Sequence, residues 1–371
     1  MSKNEKMQGK ACNISGVKYS GIGGQAVMEG VMMKNEDHYA VAVRKSDGEI
    51  TVKKEEYKGL LGNKALSKIP IIRGVFAFVD SLVLGMSALN FSSDIYMEEE
   101  ENGNPDKQPE NEAKDDAPKQ PENENGEKKK SVSEGIISTL ITIVAVVLAV
   151  GLFMILPYYI SMLFKKFVTN PILLSLIEGV IRLVIFVLYI KLISLMNDIK
   201  RVFMYHGAEH KCINCIESGM ELTVENVRKS SREHRRCGTS FLLYVMVVSI
   251  VFFAFIQTPE KWMRVVLRIA LVPVIAGVAY EFIRAAGRST SPIIRAFSAP
   301  GLWMQKLTTY EPDDGMIEVG IRSVEEVFDW RKYLTENFGL SFEGRPENGT
   351  ESAETENDQA SEPANDTGAG K

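Results

Sequence analysis

Four apolar runs of about membrane-crossing length set the first limit on how this chain can fold. They are Ile136 to Ile160, Ile172 to Met196, Ser240 to Gln257 and Val265 to Ile283. Each is close to the ~20 residues an α-helix needs to cross a ~30 Å hydrocarbon layer. A backbone in that layer must satisfy its own hydrogen bonds, so helices are the element open to these runs. The predicted fold is mainly α: a four-span α-helical membrane bundle with a small cytoplasmic α+β domain built from N- and C-terminal segments. A fifth apolar stretch, Ile69 to Ser93, is interrupted by Arg73 and Asp80. It is expected as a helix lying in the interface or packed on the bundle.

Charge gives the expected orientation. The net charge of −5 hides an uneven distribution, with 12 acids and 6 bases in 98–130 and 8 acids and 2 bases in 343–371. The remainder is therefore about +7, and its bases flank the apolar runs. The 197–239 loop carries Lys200, Arg201, Lys211, Arg228, Lys229, Arg232, Arg235 and Arg236. The short connections on the other side hold Lys165, Lys166, Lys261 and Arg264. The positive-inside rule then places both termini and the 197–239 loop in the cytoplasm. Counting 69–93 as a further span would export either that loop or the cluster Lys128-Lys129-Lys130. The expected partner is the lipid bilayer, whose anionic cytoplasmic face suits this balance. Nucleic acid is not expected, because no aromatic platform is interleaved with the bases. A polar start from Met1 to Lys10 argues against a cleaved signal peptide, and four cysteines against a disulfide scaffold.

The remaining organisation follows from composition. Residues 1–20 are expected as a flexible lead-in, 98–130 as a disordered acidic linker and 343–371 as a disordered acidic tail. Between them lie an N-terminal cytoplasmic α+β part at 21–68, the interfacial or bundle-packed helix at 69–97 and the first two spans at 131–196. The 197–239 loop, the last two spans at 240–284 and a C-terminal cytoplasmic part at 285–342 follow. Tyr39 to Arg44 and Glu49 to Lys54 read as a β-hairpin closed by Ser46-Asp47-Gly48. Gly21 to Met33 reads as a glycine-rich turn running into an apolar segment with one carboxylate, Glu29. Met316 to Ile321 is strand-like. Ser323 with Glu326 has the form of a capping box, so a helix is expected to begin there. Its face of Val324, Val327, Phe328 and Leu334 is expected to pack on the 39–54 hairpin.

The 197–239 loop also concentrates the chemistry. It holds His206, His210 and His234 of the four histidines, and Cys212, Cys215 and Cys237 of the four cysteines. His206-Gly207-Ala208-Glu209-His210 has the H-x-x-E-H order of the inverted zinc-peptidase motif. Histidines four apart lie on one helix face, so both imidazoles reach one ion. Glu209 beside them is placed to act as general base. Asn197 to Tyr205 is expected to continue the second span into this helix. Two histidines do not complete a site, and His234 and Cys237 are expected to close the sphere from across the loop. Glu217 lies about 20° from His206 around the helix but roughly 10 Å from His210 along it. It is assigned a supporting role, as is Glu29. Cys212 and Cys215 point away from the histidine face. They read as buried inert thiols, or as part of a Cys₃His site with His234 and Cys237. Glu178, Arg182, Arg268 and Glu281, inside the runs, are expected to form ion pairs.

Four strings together resemble a known family. They are Gly23 to Met33, Tyr205 to Lys211, His234 to Phe241, and Pro300 to Gln305 with Leu307-Thr308-Thr309 and Glu311 to Asp314. They resemble the bacterial YqhQ-like family of multipass membrane proteins, a domain of unknown function that carries the label of a metal-dependent enzyme. The resemblance covers roughly residues 16–335. It implies interest in Glu29, His206, Glu209, His210, Glu217, His234 and Cys237. The family pattern has proline where this chain has Arg235 and does not require Cys212, which favours the His-based site over the Cys₃His one. The expected function is a membrane-bound hydrolase with a cytoplasm-facing divalent-metal site, with zinc as the expected ion. A lipid-linked molecule or a membrane protein would be its substrate. The alternative is a non-enzymatic scaffold with a structural metal. A transporter ranks third, for want of a broken-helix or inverted-repeat signal.

Overall fold

The computed structural model describes residues 17–60, 69–102, 140, 143–145, 147–256, 260–288 and 291–342. Most of the lead-in and of the 98–130 linker, the tribasic cluster and the whole acidic tail lie outside them.

Four antiparallel strands open the fold in the order β1-β2-β3-β4: Gly23–Val27, Gly30–Asn35, His38–Arg44 and Ile50–Glu56. The 39–54 hairpin is present, with Gly48 at φ +90° in its turn and Asp47 accepting the Glu49 N–H at 2.9 Å. Gly21 to Met33 forms a further hairpin, β1–β2, with Glu29 in its turn at φ 49°. The two-residue side-chain period divides the sheet's residues between two cores. Val31, Met33 and Ala42 join one cluster, and Met32, Tyr39, Val41 and Val43 join the other.

Ten α-helices with defined bounds follow among the described residues. They are α1 (Ile72–Asn102), α2 (Leu156–Leu163), α3 (Pro171–Ile193), α4 (Asn197–Glu217), α5 (Val224–Lys229), α6 (Gly238–Phe255), α7 (Lys261–Arg288), α8 (Pro292–Thr308), α9 (Asp314–Val327) and α10 (Trp330–Phe338). A π-helical turn, Gly151–Ile155, leads into α2. Five stretches are long and apolar enough to cross a membrane: Ile72–Glu98, Ile143–Lys166, Pro171–Ile193, Gly238–Phe255 and Val266–Gly287. The first is the segment that was expected to stay out of the span count. The other four coincide with the four expected runs. In α3, Glu178 receives Arg182 at 2.8 Å and Arg268 of α7 at 3.0 Å, and Arg73 of α1 grips Glu281 of α7. Glu178, Arg182, Arg268 and Glu281 are thus in ion pairs, as expected of charges inside such runs.

Three local expectations differ from the structure. Met316 to Ile321 is not a strand but lies in α9, whose start is capped earlier, by Asp313 accepting the Met316 N–H at 2.8 Å. Met316, Ile317, Val319, Gly320 and Val324 are buried at helical spacing, and that packing overrides their β-propensity. Ser323 consequently starts no helix; its hydroxyl donates to the Ala40 carbonyl of β3 at 3.1 Å. Third, α4 does not continue α3. The Ser194 hydroxyl donates back to the Lys191 carbonyl at 2.7 Å, and Met196 is extended before α4 begins. Helix α9 lies on β2 and β3, so its partner includes the expected 39–54 hairpin but extends to β2, and it joins the two ends of the chain.

Candidate metal centre

Helix α4 presents His206 and His210 one turn apart, their ring centroids separated by 4.4 Å. Cys237 reaches them as the N-cap of α6, with Sγ at 3.3 Å from His206 Nε2. One ligand atom from each of His206, His210 and Cys237 lies within 4.8 Å of the others, and all three residues are buried. Tetrahedral zinc, with bonds of ~2.0 Å to nitrogen and ~2.3 Å to sulfur, needs donors about 3.5 Å apart.

The histidines are oriented for this. His206 Nδ1 contacts the Thr308 carbonyl at 2.8 Å and His210 Nδ1 contacts the Arg232 carbonyl at 2.6 Å. A carbonyl only accepts, so each Nδ1 carries a proton and each Nε2 is the nitrogen left to offer a lone pair once it is deprotonated. Glu209 Oε2 lies 3.8 Å from His206 Nε2 and 4.0 Å from His210 Nε2. Its side chain is pressed against Gly24 of β1, where an added Cβ would stand 2.7 Å from Glu209 Cγ.

Burial and mutual charge set the protonation of the metal-free cluster. Burial lowers His206, but Cys237 and then Glu209 outweigh it and lift the imidazole to about 9. Burial raises the Cys237 thiol, and His206 and His210 override it and hold the thiol well below its usual value. Burial raises Glu209, with the two histidines opposing.

His234 is adjacent but belongs to a different set. Its ring lies 5.6 Å from that of His210, and its Nε2 faces Glu217 at 3.7 Å. Burial pulls it down to about 4 despite that carboxylate. Helix α4 runs unbroken to Glu217, which accepts from Arg236 at 2.5 Å and from the Ser20 N–H and hydroxyl at 2.9 and 2.8 Å. Burial raises Glu217, but His234 and Arg236 prevail and hold it at about 2. Glu29 also stands apart from the cluster. Its carboxylate takes Arg201 Nε and Nη2 at 2.5 Å each and the Tyr205 hydroxyl at 3.2 Å. Cys212 and Cys215 are fully buried in the core under α9, and burial raises both thiols, Cys215 to about 12. They take no part in the cluster.

Gln305 and Thr308 of α8 were not singled out as site residues, although both lie in the fourth quoted string. The Gln305 amide accepts the His234 N–H at 2.8 Å and donates to the His234 carbonyl at 2.7 Å and to Ser240 Oγ at 2.9 Å. Helix α8 thereby fixes the segment that delivers Cys237. A cavity of about 600 Å³ opens beside His206, walled by Gly23, Gly24, Met32, Leu84 and Thr239.

A family described as "Protein of unknown function (DUF1385)" matches residues 69–330. The "Uncharacterized protein YqhQ" of Bacillus subtilis (strain 168) is 35% identical over 306 residues, covering 82% of this chain and 91% of the Bacillus protein. No solved structure matches. The family match takes in α1 through α9 and all three cluster residues, and the chain belongs to the YqhQ-like DUF1385 family.

Proposed function

We propose that this protein is a membrane-bound, metal-dependent hydrolase whose ion is held by His206, His210 and Cys237 at the cytoplasmic face. The observation that carries the reading is the convergence of one ring nitrogen from each of His206 and His210 with Cys237 Sγ within 4.8 Å, with each Nδ1 against a carbonyl. A bound divalent cation, zinc by its preference for nitrogen and sulfur donors, would supply Lewis acidity there. Glu209 is the general base: it adjoins both imidazoles, and burial favours the proton it must accept. His234 and Glu217 position the Cys237 segment and do not ligate. Three protein donors beside an open cavity favour a catalytic site over a structural one, which uses four. The bases of 197–239 support the cytoplasmic orientation. The substrate class is a lipid-linked molecule or a membrane protein, since the cluster adjoins the ends of α6 and α7.

Metal content of detergent-purified protein tests the site. Wild type and Glu209→Gln are expected to retain stoichiometric metal, and His206→Ala and Cys237→Ser to lose it. The enzymatic half is tested by restoring a deletion strain's phenotype: wild type succeeds and Glu209→Gln fails. Full function of Glu209→Gln would favour the scaffold reading. A second reading rests on the 3.3 Å contact between Cys237 Sγ and His206 Nε2 at a helix N-terminus. Such a pair suits a metal-free cysteine nucleophile. Wild-type protein without metal, with Cys237 alkylated rapidly at neutral pH, would select it.

A further inference from the structure

Helix α1 has the length and apolar content of a membrane span, yet it is apolar on two opposite faces for two separate reasons. On one face, Leu84 and Ala88 are buried with Val27, Met32, Tyr39, Val41 and Val43 of the sheet. Asp80 on the same side accepts the Tyr57 hydroxyl and the Leu60 N–H, each at 2.8 Å, and Gly85 lies against the Gln25 amide. The middle of α1 therefore roofs the β-sheet. That sheet exposes the charged outer strand β4, with Lys53, Lys54, Glu55 and Glu56, and cannot enter hydrocarbon.

The opposite face carries Leu82, Met86, Leu89 and Met97, which are 56%, 60%, 36% and 51% exposed. Their spacing keeps them within a narrow arc about 180° from Leu84 at 100° per residue. The start of α1 is locked to the bundle. Gly74 and Gly277 of α7 meet so closely that a Cβ on Gly74 would stand 2.9 Å from the Gly277 Cα. The Arg73–Glu281 pair and the Phe78–Phe241 ring contact at 5.3 Å lie at the same level. Phe241 begins α6 and Glu281 is near the end of α7, so this is the end of the bundle that holds Cys237. Leu82, Met86 and Leu89 are exposed and apolar like the outer residues of the spans to which α1 is joined, which is why their occupant is taken to be lipid.

We propose that α1 does not cross the membrane but lies in the interface of the leaflet nearest the His/His/Cys cluster. The sheet is beneath it, and Leu82, Met86 and Leu89 reach into the acyl boundary. The chain then crosses four times, and the cavity beside His206, which Ser81 and Leu84 help to line, opens at headgroup level.

Nitroxide labels at Leu82→Cys, Met86→Cys and Leu89→Cys report depth in the full-length protein. The protein carries Cys12→Ser, and its labelling without an added cysteine is subtracted. In phosphatidylglycerol–phosphatidylethanolamine vesicles, relaxation by oxygen and by a water-soluble nickel chelate gives the depth of each label. The expected result is one shallow depth for all three, about 5–10 Å below the headgroups. A depth that changes by about 10 Å from residue 82 to 89 would mean that α1 spans, and would overturn the proposal. Full access to nickel at all three, or access to neither reagent, would mean water or protein covers this face, and would overturn it too.

Discussion

Two backbone carbonyls decide what His206 and His210 can do, because Thr308 and Arg232 hold the Nδ1 protons and leave both Nε2 atoms to face Cys237. A comparable constraint acts on Glu217, buried between Arg236 and His234. Its carboxyl is held at about 2 against an ordinary 4.5, so it adds stability above pH 4.5 that is lost as pH falls toward 2. At ~1.4 kcal/mol per pH unit, this amounts to about 3 kcal/mol at neutral pH. Glu217→Gln is expected to lower unfolding stability by about that amount at pH 7, with the gap to wild type closing as pH falls from about 4.5 to about 2. Denaturant unfolding in detergent across that range checks it; a gap independent of pH would mean the charge is not what stabilises. Of the residues in the site, the H-x-x-E-H spacing made His206, Glu209 and His210 legible, because four residues is a local geometric relation. His234 and Cys237 looked equivalent in sequence. Only the packing of Gln305 on the His234 backbone turns one toward Glu217 and leaves the other to the cluster.

Helix α4 can carry that chemistry because it docks tightly on the segment after α8. The Tyr310 N–H donates to the Phe203 carbonyl at 2.9 Å, and a Cβ on Gly207 would stand 2.1 Å from the Tyr310 carbonyl oxygen. A backbone oxygen cannot turn aside as a side chain can. Gly207→Ala is therefore expected to cost about 2–3 kcal/mol and to weaken metal retention, since His206 is its neighbour. Gly23→Ala, with nothing within 4 Å of the new methyl, is the control and should stay within about 0.5 kcal/mol of wild type. Thermal unfolding of the two variants side by side distinguishes them; equal losses would contradict the docking argument. Elements with strong local signals were readable: the Asp47-Gly48 hairpin and the four apolar helices. Met316 to Ile321 was not, because its apolar run suits a strand as well as a helix until Asp313 caps it. The break between α3 and α4 has no proline or glycine to announce it.

At the scale of the molecule, one small α/β layer and one helical bundle share the His/His/Cys cluster at their junction. Helix α4 and the sheet supply Glu209 and its Gly24 contact, α6 supplies Cys237, and α8 supplies the carbonyl that orients His206. Charge and hydropathy foreshadowed this division, including the union of the 39–54 hairpin with the C-terminal helix. The part played by α8 was hidden, since a contact between residues 206 and 308 leaves no periodic trace in sequence. Metal at the junction is the central claim, and X-ray absorption at the zinc edge of the zinc-loaded full-length protein tests it most directly. The account predicts one sulfur at ~2.3 Å and nitrogen or oxygen donors at ~2.0 Å, and no stoichiometric zinc in Cys237→Ser. A shell with two or more sulfurs, or protein that takes up no stoichiometric zinc, would contradict it.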